Sequence, residues 1–147
     1  MITNVAALIP IESRRLMLST MLNMRQPEDQ LLKLYKNDIS PSETDVSEDF
    51  VEATYPGYQS ILLYGAEWVE DTVEHEEFGT CPQVSYDPQV FMCTNTKDQA
   101  PEKIYGYYIV QEESNLLLWA VRFKYDTVYY MGNDGDSLTI SPSMLFR

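Results

Sequence analysis

The chain has one histidine, set among carboxylates in "EHEE" (residues 74–77), and such a grouping is where a metal site would start. Zinc hydrolase helices carry a pair of histidines one helical turn apart with a glutamate between them. Here there is a single histidine, and its neighbours show no apolar face at helical spacing. On a strand, His75 and Glu77 would share a side and could hold a divalent ion weakly. The plainer reading is a solvated acidic loop. Two cysteines, Cys81 and Cys93, bracket "CPQVSYDPQVFMC". With only His75 to add, they do not complete a zinc centre. They read as free, partly buried thiols, and whether they meet across a hairpin stays open. "GNDGD" (132–136) is oxygen-rich like a calcium loop, yet it lacks the ligand spacing of such a loop and its closing bidentate glutamate. A tight turn in which Gly132 and Gly135 take positive φ accounts for it.

Nucleophilic catalysis needs a base beside the nucleophile, usually a histidine, and the only one lies in the acidic segment. There is no Gly-x-Ser-x-Gly elbow and no glycine-rich phosphate loop. Among 23 acidic residues no pair stands out as a glycosidase pair. The expectation is therefore a non-enzymatic protein with no catalytic residues, no cofactor and no metal.

The balance of 23 acidic against 10 basic residues gives a net charge of −13 over 147 residues. A surface that negative repels phosphate backbones and anionic lipid, so neither nucleic acid nor membrane is expected as a partner. Solubility alone would explain the acidity; a basic protein partner or bound cations are the sharper readings. The opening "MITNVAALIPIESRRLMLST" places its arginines after the apolar residues, the wrong order for a secretory signal. No window reaches the roughly 18 apolar residues of a membrane span. The expected place of synthesis is a cytoplasm.

Residues 1–9 read as an extended arm. Pro10 suits the first turn of a helix, with Glu12 near its positive end. Ile11, Leu18, Met21 and Leu22 fall on one face, and Pro27 ends the helix. Strand-like runs then follow in short steps: "LLKLYK", "FVEATY", "YQSILLYGAEWVE", "VSYD", "QVFMCTN", "KIYGYYIVQ", "NLLLWAVRF", "TVYYM" and "SLTISP". Between them, "DTVEHEEFGTCPQ" reads as an exposed connection or a weak edge strand. The expected fold is mainly β: an antiparallel β-sandwich or jelly-roll-like domain of about eight strands over residues 29–147. An N-terminal arm and helix precede it over residues 1–28.

The densest apolar run, "IYGYYIVQEESNLLLWAVRF" (104–123), reads as a β-hairpin with a polar loop. Strict alternation puts Leu116, Leu118, Ala120 and Arg122 on one face of its second strand, and Leu117, Trp119, Val121 and Phe123 on the other. Both faces are apolar, so both need a cover, and either the N-terminal helix or another copy of the chain can supply the second. An oligomer is the favoured solution. The eleven tyrosines read first as sandwich packing, then as protein interface, then as a sugar platform.

"LLKLYKNDISPSETDVSEDFVEATYPGYQSILL" leading into "GAEW", then "IYGYYIV", "LLLWAVRF" and the closing "NDGDSLTISPSMLF" resemble a group of small virion-associated proteins of tailed bacteriophages, many from aquatic hosts. The likeness covers most of residues 12–147. It departs at Val121, where the pattern is acidic, and over 70–100. The resemblance implies a capsid cement or decoration protein: a homo-trimer on the capsid surface of a virion, assembled in the host cytoplasm, with the major capsid protein as partner. Its motifs are structural, so no catalytic residue carries over. The candidate capsid or subunit contacts are Ile9, Ile11, Leu18 and Leu22 of the N-terminal segment, with Trp119 and Tyr107. A tail, baseplate or receptor-binding module that recognises host-surface glycan through its tyrosines is the alternative. An enzyme acting on envelope polymers is a third.

Overall fold

The computed structural model describes residues 9–146. It is mainly antiparallel β, opened by one helix, α1 (Ile11–Met21). The expected arm lies outside the described residues except for Ile9. Eleven short strands follow: β1 (Gln30–Tyr35), β2 (Ile61–Leu63), β3 (Val69–His75), β4 (Gly79–Ser85), β5 (Gln89–Met92), β6 (Glu102–Ile104), β7 (Gly106–Gln111), β8 (Leu117–Arg122), β9 (Tyr129–Met131), β10 (Ser137–Ile140) and β11 (Ser143–Leu145).

The central sheet has the order β2-β1-β7-β8. Three smaller sheets, β11-β4-β3, β10-β5 and β6-β9, supply side chains to the same core. That core is one continuous cluster. It takes Leu32 and Leu34 from β1, Ile109 from β7 and Trp119 and Val121 from β8, with Phe91, Met131, Leu138, Ile140 and Met144 from the small sheets. The arrangement is sandwich-like, with the second layer divided into short pieces.

More strands form than the sequence suggests because several apolar runs change partner midway. "KIYGYYIVQ" divides at Tyr105, whose N–H still donates to the Tyr35 carbonyl at 3.0 Å and whose carbonyl accepts from Phe123 N–H at 3.0 Å. "YQSILLYGAEWVE" divides at a 3-10 turn, Gly65–Glu67. "FVEATY" contributes a single bridge, Glu52 to Tyr35, and no strand. The acidic segment near residue 75 forms a full hairpin, with β3 as the edge of its sheet. Charged side chains do not prevent pairing at an edge.

β7 is buried at every position. Its neighbour β8 departs from strict alternation: Ile109 pairs with Trp119 but Val110 pairs with Leu117, so a bulge absorbs Leu118. Leu117 thereby turns to the second face, and Leu118 packs against the main core instead. That second face is covered by the chain itself. Phe50 stacks on Tyr108 with ring centroids 5.2 Å apart and meets Tyr35 edge-on at 5.1 Å, while Ile39, Leu31 and Tyr105 pack around them. Arg122 fastens the covering loop through Asp38 at 2.7 Å and the Ile39 carbonyl at 3.1 Å. The doubly apolar strand therefore gives no reason to invoke a second copy.

Gly106 shows how tightly β1, β7 and β8 meet. A Cβ built there would lie 2.1 Å from the Val121 carbonyl oxygen and 2.6 Å from the Tyr35 ring. Backbone and a fully buried ring cannot give way cheaply. Gly106→Ala is expected to destabilise the fold by about 3 kcal/mol or more, read from the denaturant midpoint.

Candidate interaction surface

α1 is fixed to the body by a short buried face and by hydrogen bonds of its polar residues, and this decides which face it shows. Ser13 and Leu16 are buried and Met17 packs against the core. Glu12 lies in the first turn of the helix, as the sequence places it, and from there reaches across to β8, where its carboxylate accepts the Leu117 N–H at 2.8 Å. Beyond the helix, one oxygen of Glu28 accepts both the Glu113 and Ser114 N–H groups, each at 2.8 Å. The carbonyl and carboxylate of the next residue, Asp29, accept from Glu112 N–H and Gly65 N–H, both at 2.9 Å. Two glutamates thus hold the segment at either end onto the turn and start of the β7–β8 hairpin. At the front, Ile11 N–H donates to the Glu43 carbonyl at 2.9 Å and Arg14 pairs with the Glu43 side chain at 3.0 Å.

Held this way, the helix turns its apolar row outward. Ile11 is 45% exposed, Leu18 57%, Met21 73% and Leu22 65%, and Met24 just beyond is 77% exposed. The face expected from the sequence is present, and it is the outer one. It borders a groove of about 670 Å³ between α1 and the loop at residues 43–46, lined in part by Ile11, Leu16, Met24 and Val46. Contiguous apolar surface of this kind marks a binding site more often than isolated exposed residues do.

The other candidate contacts are placed differently. Ile9 is half-buried against the core, where it anchors the start of the helix. Trp119 and Tyr107 are 3% and 5% exposed inside the main cluster, so neither can touch another chain. Trp119 packs edge-on against Trp68 at 5.6 Å, and burial pushes the Tyr107 hydroxyl pKa up. Their aromatic character serves packing.

Of the sequence features that suggested chemistry, each has a structural account. His75 stacks on Phe78 at 4.6 Å and its Nδ1 accepts Glu77 N–H at 3.1 Å, which closes the β3–β4 turn. His75 and Glu77 do not share a strand face, because the chain is already turning there. Among the described residues no group of three or more His, Cys, Asp or Glu side chains is arranged to hold a metal ion. Cys81, on β4, and Cys93, just past the end of β5, are free and buried, and burial raises the Cys93 thiol pKa. In "GNDGD" only Gly135 has positive φ, at 88°. Gly132 is required instead by contact, since a Cβ there would lie 2.7 Å from Pro101. Asp136 caps that turn by accepting Gly132 and Asn133 N–H at 3.1 and 2.7 Å. Tyrosines Tyr35, Tyr55, Tyr86 and Tyr108 are buried with Tyr107, while Tyr64, Tyr125, Tyr129 and Tyr130 are exposed.

Comparison of the chain with protein-family models, with curated proteins and with solved structures gave no match. No helix among the described residues is long and apolar enough to cross a membrane.

Burial works to raise the Glu28 carboxyl pKa, but the bonds from Ser114 and Glu113 and the nearby Arg25 outweigh it and hold the group below its usual 4.5. A pKa depressed by folding stabilises the native state above the ordinary value, and that contribution disappears as pH falls through the folded value. Glu28→Gln should therefore lower stability by about 1 kcal/mol at pH 7, a modest figure because the carboxylate is partly open to water. Thermal melts across pH should show the difference shrinking towards zero once the pH is well below 4.5.

Proposed function

We propose that the chain is a non-enzymatic structural protein of a bacteriophage particle, a capsid cement or decoration protein whose contact with the major capsid protein is the outer face of α1. The observation that carries this reading is the apolar row Ile11, Leu18, Met21 and Leu22, open to water on a helix clamped from behind. Fully burying one such side chain contributes about 1.5–3 kcal/mol, so the row alone supplies substantial affinity. Several copies bound side by side to a shell multiply that affinity further. The sequence resemblance to virion-associated proteins supports a place on the capsid surface after assembly in the host cytoplasm. An acidic body suits the outside of a shell whose interior holds DNA. Trimerisation rests on the resemblance alone, because the second face of the β7–β8 hairpin is closed by its own chain.

A second reading has one observation in its favour. Tyr125 is 97% exposed, with Tyr129 and Tyr130 also at the surface nearby in sequence. Exposed tyrosine rings suit a tail or receptor-binding module that recognises host glycan.

Capsids of the encoding phage, prepared without this protein, should retain the purified chain on sedimentation. Leu18→Asp combined with Leu22→Asp should weaken retention at least tenfold while leaving the circular dichroism spectrum unchanged. Undiminished binding by that variant would remove the α1 surface from the account. Glycan-array binding abolished by Tyr125→Ala would favour the second reading instead.

A further inference from the structure

A second apolar groove, of about 640 Å³, lies over the sheet β11-β4-β3. The strand register builds it in rows. Glu70, Val84 and Met144 form one row across the sheet, and Thr72 faces Pro82 in the next. Phe146 extends that second row, with its N–H donating to the Pro82 carbonyl at 2.9 Å. Met17 of α1 completes the lining. Phe146 is 52% exposed, a large apolar ring left open at the β11 end of that row. On the next row outward stands Glu74, on the same face of β3 as Glu70 and opposite Thr80. Among the described residues β3 has no neighbour on its outer side, so backbone N–H and C=O groups lie open along the rim.

The charge beside this groove is of one sign. Residues 37–96 contain no lysine or arginine and carry thirteen carboxylates, which matches the whole net charge of −13. The rest of the chain is balanced, ten against ten. Several carboxylates of the block are matched within the fold: Glu43 to Arg14, Glu52 to Lys33 and Asp38 to Arg122. Glu70, Asp71, Glu74, Glu76 and Glu77 of the hairpin have no cationic partner among the described residues.

We propose that this groove receives an extended segment of a partner protein in which an apolar side chain stands between two lysines or arginines. Side chains on one face of an extended chain are about 7 Å apart for each two residues. Glu70 and Glu74 are therefore matched by cations four positions apart in the segment. The apolar residue midway between them falls on the Thr72–Pro82 row, against Phe146. Apolar contact gives affinity and the paired charges fix register, the division of roles usual where extended peptides are bound at a sheet edge. Binding here needs no capsid, and its success or failure leaves the α1 surface untouched.

The test uses the full chain, isotope-labelled, titrated by NMR with the capped peptide Lys-Ser-Leu-Ser-Lys and with a control in which serine replaces leucine. The leucine peptide should shift amides of residues 69–85 and 143–146 and bind at least fivefold more tightly than the control. Phe146→Ser should abolish that preference without changing the control. Glu70→Lys with Glu74→Lys should weaken both peptides at least fivefold. Equal binding of the two peptides would overturn the proposal, since charge alone would then account for it. Shifts centred on the acidic loop at residues 43–52 would overturn it as well.

Discussion

Two carboxylates set the form of this protein's surface. Glu12 and Glu28 stand on either side of the stretch that runs from the helix to the first strand, and each accepts backbone N–H groups from the β7–β8 hairpin. These amides lie at the hairpin turn and at the start of β8, where the ladder leaves them without backbone partners. A carboxylate that accepts such donors is bound more strongly than a neutral acceptor would be. The same contacts fix the rotation of α1. Ser13, Leu16 and Met17 face the body, and Leu18, Met21 and Leu22 face water. An unclamped helix would be free to turn those side chains inward.

The hairpin that receives the clamp is itself buried on both sides. A strand such as β7, buried at every position, belongs in the middle of a three-layer arrangement, and the chain provides the third layer from irregular segments. Phe50, Ile39 and a 3-10 turn at Ser47–Asp49 do the work that a helix or second sheet does elsewhere. Asn115 at the hairpin turn donates to Ser47 at 3.0 Å, and Asn37 bonds both Asp49 and Val51, so this cover is tied down by side chains. The acidic surface follows from the same economy of structure. The covering loop and the β3–β4 hairpin are the chain's most acidic parts. Among the described residues, Asp38, Glu43 and Glu52 of the loop pair with cations, and the carboxylates of the hairpin do not.

Much of this was legible in the sequence, and where it was not the reasons are specific. The helix, the central strands and the hairpin at 104–123 follow from periodicity, because burial on one or two faces leaves a strong pattern. The bulge at Leu118 leaves none: one residue absorbed into a strand moves Leu117 to the other face while the sequence still alternates. The cover over the second face was equally hidden, since Phe50 and Ile39 sit in a polar stretch with no period. Trp119 and Tyr107 looked like contact residues because aromatic side chains are enriched both in interfaces and in cores. Only three-dimensional placement separates the two. Spacing grouped the apolar residues of α1 on one face, but that this face is the outer one, and that Glu12 bonds a partner 105 residues away, only the fold shows.

The central claim is that one chain closes both faces of β7 and leaves the outer side of α1 free. Native-state hydrogen exchange at two protein concentrations a hundredfold apart tests it directly. The account requires the amides of Tyr107–Val110 to be among the slowest to exchange, with rates that do not depend on concentration. Protection of those amides that collapses on dilution would contradict it, because a second copy would then be supplying the cover.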